Sequence, residues 1–375
     1  MKFHPLKDIL VVSIEQALSA PLASCRLADA GARVIKVERE SGDFARDYDE
    51  VVNGQSTYFV WANRGKESVR INIKSPEGRE LLLRILRKAD VFIQNLTPGA
   101  LEKLDLHSEK LRELNPELIT CDISGYGEEG GYKDFKAYDN LVQAESGLID
   151  VTGDGQMRAK AGISIVDIST GMHAYSAILE ALIHRATSGK GVSIKISMFD
   201  SMADWMMVPW LHQKYGGKAP ERTGIHHAAI APYGPFKTKG GREIMIGIQN
   251  NREWGQFRKE FLDDEIPAGD ENFSSNSARV KNMNQLIRLI QKAFERLDYE
   301  VVLSKLKKTN IAYSNLNTMA DVENHPLLKL VEVESENGPV LMAGRPAVFR
   351  DFEAGFGPIP ALGEHDAKIA KEFEK

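Results

Sequence analysis

The chain predicts an α/β fold in which a doubly wound, Rossmann-like parallel sheet forms a large domain and a smaller α+β domain follows it. Three observations carry this expectation. Short apolar runs alternate with helical segments through the first two hundred or so residues. The 375-residue length exceeds what one ordinary hydrophobic core organises. The composition, 42% hydrophobic and 27% charged, is that of a globular chain able to bury a substantial core.

In order, Ile9 to Ile14 is an apolar run, Ser19-Ala-Pro21 opens a helix that stops at Gly31, and Val34 to Val37 is a second strand. Strand, helix and strand within about thirty residues make a βαβ unit, which implies parallel strands and a right-handed crossover. The pattern repeats. Ser68 to Ile73 reads as a strand, Ser75-Pro76-Glu77 starts a helix with Pro at its first position, and Leu81 to Ala89 carries that helix. Asp90 to Ile93 is a strand, helices follow from Pro98 and from Ser108, and Leu118 to Ser124 is a further strand. Val192 to Met198 is another, leading into a helix near Phe199. Composition shifts at Tyr215-Gly-Gly-Lys-Ala-Pro220, the expected linker. Beyond it come a strand from Glu243 to Ile248 and helices over Glu253 to Phe261, Ser277 to Arg296 and Tyr299 to Lys307. Glu336-Asn-Gly-Pro339 is a hairpin signal between Val331 to Val333 and Val340 to Met342. The domains expected are 1–215, 221–318 and a C-terminal segment, 319–375.

Several classes of function are disfavoured. A formal charge of −5 argues against coating nucleic acid or anionic lipid, and no stretch approaches the length of a membrane span. Two cysteines, Cys25 and Cys121, are too few for a disulfide framework, and the N-terminus has no signal-peptide core, so a cytoplasmic protein is expected. Glu15-Gln-Ala-Leu-Ser-Ala-Pro21, the loop after the first strand, contains no glycine, whereas a dinucleotide site needs one there for the backbone to approach a pyrophosphate. There is no P-loop, no zinc-type Cys/His cluster and no G-x-S-x-G elbow; neither a metal nor a permanently bound cofactor is expected.

One stretch stands apart. Ala161 to His173 reads as a short strand delivering Asp167 to the start of a helix, whose apolar positions Met172, Tyr175, Ile178, Leu179, Leu182 and Ile183 recur at three- and four-residue spacing until Gly189 and Gly191. Ser169 and Thr170 can cap the first turn, and the unpaired N–H groups there favour an ionised carboxylate. Taken alone, an Asp before a helix is a cap.

The other segments change that reading. Ala28 to Arg39, then Gly42-Asp43 and Arg46, resembles the opening signature of the class III coenzyme A transferases, the family of formyl-CoA transferase and carnitine CoA-transferase. Asn63 to Ser68, Ser75 to Gly78, Ala89 to Asn95, Pro98-Gly99, Asn115-Pro116, Ile123 to Gly127, Tyr138 to Gly147, Gly162 to Gly171, Ala231 to Phe236 and Trp254 resemble that family's motifs in its order. The resemblance runs nearly end to end, and it implies that Asp167 attacks an acyl-CoA thioester to give a mixed anhydride and then an aspartyl-CoA thioester. It implies acyl-CoA and a small carboxylic acid as substrates, and two chains interlocked as a homodimer.

Further positions carry over by the same resemblance. Gln16 and Ala17 match the loop beside the reacting carboxylate. Tyr138 and Asp139 match a pair close to it, and Asp139 can act on Asp167 by like-charge repulsion or cap a helix. Arg39, Lys103 and Lys136 match cationic positions around the CoA nucleotide. Lys103 stands where the family often has Arg, and Leu96, beside Asn95 in the CoA channel, replaces the more usual Phe. The family's glycine-rich lid is not evident; Gly247-Ile-Gln-Asn-Asn251 takes its place. Arg222, His226 and His227 form a polar cluster before the Pro-Tyr-Gly segment and resemble members that use small dicarboxylic acids such as succinate or malate. A polar linker would look the same. The alternative within the fold is an α-methylacyl-CoA racemase, whose His–Asp base pair has its His where this chain has Tyr138, a phenol that titrates near about 10 in water and is a poor base.

Overall fold

The computed structural model describes residues 3–353 and 355–374, so the outermost ends of the expected first and last domains, at 1 and 375, lie outside the described residues. These residues form two compact units. Unit 1 takes the chain through Ser146, then Ala161–Met206 and the segment from Lys329 onward; unit 2 takes Gly147–Lys160 and Met207–Leu328.

Unit 1 is built on six parallel strands. They begin with β1 (Leu10–Ile14), β2 (Arg33–Glu38), β3 (Lys66–Arg70), β4 (Val91–Gln94) and β5 (Ile119–Ser124), with α1 (Ser19–Asp29), α2 (Thr57–Asn63), α3 (Pro76–Leu86) and α4 (Ser108–Leu114) between them. After α5 (Asp139–Glu145) the chain crosses into unit 2 for α6 (Leu148–Val151), β6 (Gly153–Asp154) and β7 (Met157–Arg158). It returns for α7 (Ile165–Ser188), β8 (Ser193–Ser197) and α8 (Met198–Trp205). The sheet order is β3-β2-β1-β4-β5-β8, every neighbouring pair parallel. The doubly wound sheet expected from the alternation is therefore present. Its order reverses between β1 and β4, where open α/β sheets bind ligands outside the carboxyl ends of the strands.

Alternation along the strands explains why both faces are covered. Val12, Ile35, Val37 and Phe92 point to one face, against Leu82, Ile85 and Leu86 of α3 and Leu111 of α4. Val11, Val34, Val91 and Ile93 point to the other, against Ala20, Ala23 and Leu27 of α1 and Ala174 and Ile178 of α7. Strands buried on both faces read as continuous apolar runs, as these do.

Several elements depart from expectation, among them the helix expected from Pro98, which is only a 3₁₀ turn at Glu102–Leu104. No strand runs into Asp167: α7 already starts at Ile165, so Asp167 lies within its first turn. Beyond α9 (Met207–Gly216) and α10 (Asn251–Phe261), the expected helix over Ser277–Arg296 is two, α11 (Asn276–Lys281) and α12 (Met283–Phe294), because Asn282 leaves helical geometry and ends the first. The C-terminus of α7 matches expectation, with Gly189 in the left-handed conformation at φ 67°.

Unit 2 has an antiparallel sheet of β9 (Tyr233–Lys237), β10 (Glu243–Gly247) and β11 (Ala312–Ser314). Its core is aromatic, with Phe236, Trp254, Phe257, Phe261, Phe273 and Phe294 buried alongside Ile244 and Ile246. Residues 147–160 join this unit because Asp154 bridges to Thr223 and Gly224 N–H donates to Gly153 carbonyl at 2.8 Å.

The last segment returns to unit 1. The expected hairpin is present as β12 (Leu330–Val333) paired with β13 (Val340–Ala343), and Val333 and Val340 pack against Phe59 and Val60. Further on, Gly65 N–H donates to the Pro358 carbonyl at 2.7 Å, and Ile369 and Phe373 cover one face of the sheet. No helix among the described residues is long and apolar enough to cross a membrane.

Candidate active site

Asp167 enters its site through the packing of α7 on α1. Gly171 is the contact point: a Cβ there would stand 2.7 Å from the Ser19 carbonyl oxygen and 3.0 Å from Leu22 Cβ, so only glycine lets the two helices meet this closely. One turn earlier on α7, Asp167 is thereby brought to the Ser19 hydroxyl at the start of α1.

The cap of α7 is not local. Ser169 and Thr170, the expected caps, donate instead to the Val166 carbonyl at 2.9 and 2.7 Å. Asp139, at the first position of α5, supplies the cap: its Oδ1 accepts from the backbone N–H of Val166 at 2.8 Å and of Asp167 at 3.1 Å. Its Oδ2 accepts from Gln143 Nε2 at 2.5 Å, and Gln143 Oε1 accepts from Ala161 N–H at 2.9 Å. A carboxylate twenty-eight residues upstream thus takes the N–H groups that would otherwise have favoured ionised Asp167.

This arrangement reverses the expected effect on the Asp167 carboxyl. Burial pushes it up, the negative charge of Asp139 adds to that, and a hydrogen bond from Ser19 only partly offsets them, leaving it at about 7 against 3.8 ordinarily. The position is near neutrality, where a carboxyl serves both as a nucleophile and as a leaving group.

The loop between β1 and α1 borders this carboxylate. Gln16 N–H donates to Asn95 Oδ1 and Asn95 Nδ2 donates to the Gln16 carbonyl, each at 2.9 Å, so the loops after β1 and β4 are cross-bonded where the sheet order reverses. Ala17 is left-handed at φ 63°, and its N–H donates to Asp43 Oδ1 at 3.1 Å. Leu96 N–H donates to Gln94 Oε1 at 2.8 Å, and its side chain packs against the core under that loop.

Three side chains near Asp167 escaped sequence reasoning. Tyr48 is edge-on to Tyr58 with ring centroids 5.5 Å apart, and the Tyr58 hydroxyl lies 3.1 Å from Ser164 Oγ, just before α7. Burial, then the charges of Asp43 and Asp167 and the hydroxyls of Tyr138 and Tyr58, push the Tyr48 phenol up to about 12, which keeps it a hydrogen-bond donor. The clue available in the sequence is that Tyr48 and Tyr58 follow the Gly42-Asp43 signature. In the sequence Ser19 stands out only as a helix opener.

The remaining expected residues are placed as follows. Tyr138 precedes α5 with 60% of its surface exposed. Arg39 donates from Nε to the Gly42 carbonyl at 2.8 Å, and its guanidinium lies 5.9 Å from the Phe44 ring centroid. Lys103 and Lys136 are exposed. Unit 1 therefore gathers Asp167, Asp139, Tyr138, Gln16, Ala17 and Asn95, while Arg222, His226 and His227 belong to unit 2. Arg222 donates to the Gly155 carbonyl at 2.8 Å and the Asp150 carbonyl at 2.5 Å, clamping the β6–β7 hairpin. His227 Nδ1 accepts from Ala229 N–H at 3.0 Å while its ring stacks on Tyr233, and His226 packs edge-on to Phe236. Those contacts make Arg222 a hairpin clamp; an acceptor carboxylate would have to compete with them.

The family model described as "CoA-transferase family III" matches residues 6–366. The chain is 34% identical to succinate–glutarate CoA-transferase of Agrobacterium fabrum, over 99% of this chain and 96% of that one. It is 32% identical to the human succinyl-CoA:glutarate CoA-transferase, over 98% of this chain and 86% of that one. Among solved structures, a CAIB/BAIF family protein from Brucella suis superposes with a TM-score of 0.83 at 33% identity, each chain covered to 99%.

Proposed function

The chain belongs to CoA-transferase family III and is a CoA-transferase, and from that premise we propose that it moves CoA from succinyl-CoA to a small dicarboxylic acid, with glutarate the first acceptor to test. The observation that supports a covalent route is the buried Asp167 carboxyl, held by its surroundings at about 7 beside the switch-point loop.

In this mechanism an Asp167 oxygen attacks the thioester carbonyl carbon, the C–S bond breaks, and CoA leaves as its thiolate with a succinyl–aspartyl anhydride behind it. The thiolate attacks the aspartyl carbonyl, releasing succinate and forming aspartyl-CoA thioester. The acceptor carboxylate attacks that thioester, expelling the thiolate once more and forming a second anhydride. Attack of the thiolate on the acceptor's carbonyl gives the new acyl-CoA and returns Asp167 as carboxylate. No proton or phosphate is consumed, and the anhydride conserves the thioester's free energy. Holding CoA throughout makes each exchange intramolecular. Tyr48, whose phenol feels the charge of Asp167, is assigned to donate to oxyanions that develop there, and Arg39, Asn95, Leu96, Lys103 and Lys136 are assigned to the CoA itself.

The transferase reading is favoured over a racemase by Tyr138, which has no basic imidazole to offer. Incubation with succinyl-CoA and glutarate is expected to give glutaryl-CoA and succinate without deuterium entering the α-carbon from heavy water. Wash-in of deuterium without any acceptor acid, and no acyl exchange, would reverse the assignment. A homodimer of interlocked chains is part of the proposal; on one helix of unit 2, α9 (Met207–Gly216), Met207, Val208, Trp210, Leu211 and Tyr215 are exposed and suited to a second copy. Sedimentation at the mass of a single 41.7 kDa chain would refute it.

A further inference from the structure

Behind the loop that borders Asp167 lies a cluster of charges that the reaction does not use. Glu15, Lys36, Glu38, Asp43 and Lys66 are buried, and half-buried Arg46 completes the group. Lys36 Nζ donates to Asp43 Oδ2 at 2.7 Å and lies 3.5 Å from Glu15; Lys66 Nζ donates to Glu15 at 2.6 Å and to the Pro21 carbonyl at 2.9 Å. Glu38 accepts from Arg46 at 2.8 Å, from the Ser68 hydroxyl at 2.6 Å and from Asp43 N–H at 2.9 Å. Burial would raise Glu15 and Glu38, yet their cationic neighbours outweigh it and hold both below the usual carboxylate range.

So many buried charges are poor value for stability alone, since apolar side chains of like volume serve as well. Their arrangement converges on one backbone group. Asp43 Oδ1, the oxygen not taken by Lys36, accepts from Ala17 N–H at 3.1 Å as well as from Ala45 N–H at 2.9 Å. Ala17 stands at φ 63°, a conformation that an alanine adopts only when its surroundings impose it. Gln16 is held on its other side by the two Asn95 bonds. Two residues later the chain enters α1 at Ser19, the residue that meets Asp167.

We propose that Asp43, oriented by Lys36, is a positioning residue for the transfer reaction: it holds Ala17 in the left-handed conformation and so fixes the Gln16–Ser19 loop against Asp167. The inference rests on the reading of Asp167 as the acyl-carrying nucleophile. The Asp43 carboxylate touches no reacting atom; it acts through the backbone of Ala17.

The test uses the full chain with succinyl-CoA and glutarate, reading kcat, KM, Tm and amide exchange over residues 15–20. Asp43→Asn keeps an accepting oxygen but turns an amide toward Lys36, and kcat is expected to fall about 100-fold, the cost of a misplacement near 1 Å, with the KM for succinyl-CoA little changed. Adding Ala17→Gly to that variant, which removes the cost of positive φ, is expected to recover about tenfold in kcat without recovering Tm. Should Asp43→Asn not fold, Ala17→Val leaves the charges of the cluster in place and disfavours the left-handed region, so the same fall in kcat is expected with a modest loss of Tm. Wild-type kcat in Asp43→Asn or in Ala17→Val overturns the proposal, as does a double variant in which kcat merely follows Tm. Amide exchange separates this inference from the assigned activity: faster exchange at residues 15–20 in Asp43→Asn supports it whatever the substrates are, and unchanged exchange overturns it.

Discussion

Asp167→Asn is expected to lose acyl transfer by at least about 10⁴-fold, the scale on which removal of a covalent nucleophile acts, while acyl-CoA binding persists. The amide is nearly the same shape, so the α7–α1 contact at Gly171 and the Asp139 cap stay in place. The same variant is expected to be more stable than the parent at neutral pH. The Asp167 carboxyl titrates at about 7 in the fold against 3.8 ordinarily, so the folded chain holds a proton that the unfolded chain releases. Ionisation therefore opposes folding increasingly from pH 3.8 upward and fully above about pH 7, a penalty of up to about 4 kcal/mol. Asn carries no such penalty. Its Tm should exceed the parent's near about pH 8 and converge with it toward about pH 4. Equal Tm at both values would mean that the carboxylate is better solvated than its burial implies.

Asp139→Asn addresses the second contributor to that shift. The proposed mechanism requires ionised Asp167, so kcat/KM is expected to fall as pH drops below about 7. The asparagine oxygen still accepts from Val166 and Asp167 N–H, but the like charge is gone. Asp167 then ionises more readily, and the acid limb of kcat/KM should move down by about one pH unit. Because Asn offers Gln143 an amide nitrogen in place of Oδ2, a modest loss of stability, about 1 kcal/mol, accompanies the shift. An acid limb that stays at its parent position would assign the whole effect to burial. The acid limb would then be set by two carboxylates that arrive from different helices.

The contrast between Asp139 and the expected caps explains what was legible beforehand. Strands such as Leu10–Ile14 and Val91–Gln94 announce themselves because burial on both faces demands unbroken apolar runs, and the β12–β13 hairpin because Asn337-Gly338 supplies its turn. Ile163-Ser-Ile165 mimicked a strand because alternation over three residues cannot be told from a helix entry. The cap that decides the start of α7 comes from Asp139, and no local pattern records a bond across that separation. The hairpin at 153–158 likewise joins unit 2 through Thr223, Gly224 and Arg222, contacts between distant residues. Tyr48, Tyr58 and the Asp43–Ala17 bond became visible only when the fold brought α1, α2 and α7 together. The place of Asp167 at the start of a helix was legible in the local pattern; its proton affinity was not, since that depends on burial and on a neighbour's charge.

Asp167 is proposed to carry the acyl group and then CoA. The most direct test of that role is to mix the chain with succinyl-CoA, quench with hydroxylamine and locate modified peptides by mass spectrometry, with Asp167→Asn beside it. A hydroxamate on Asp167 in the parent chain, absent without succinyl-CoA and absent from the variant, is the result expected. Brisk transfer to glutarate with Asp167 unmodified, or an adduct on another residue, would rule that role out.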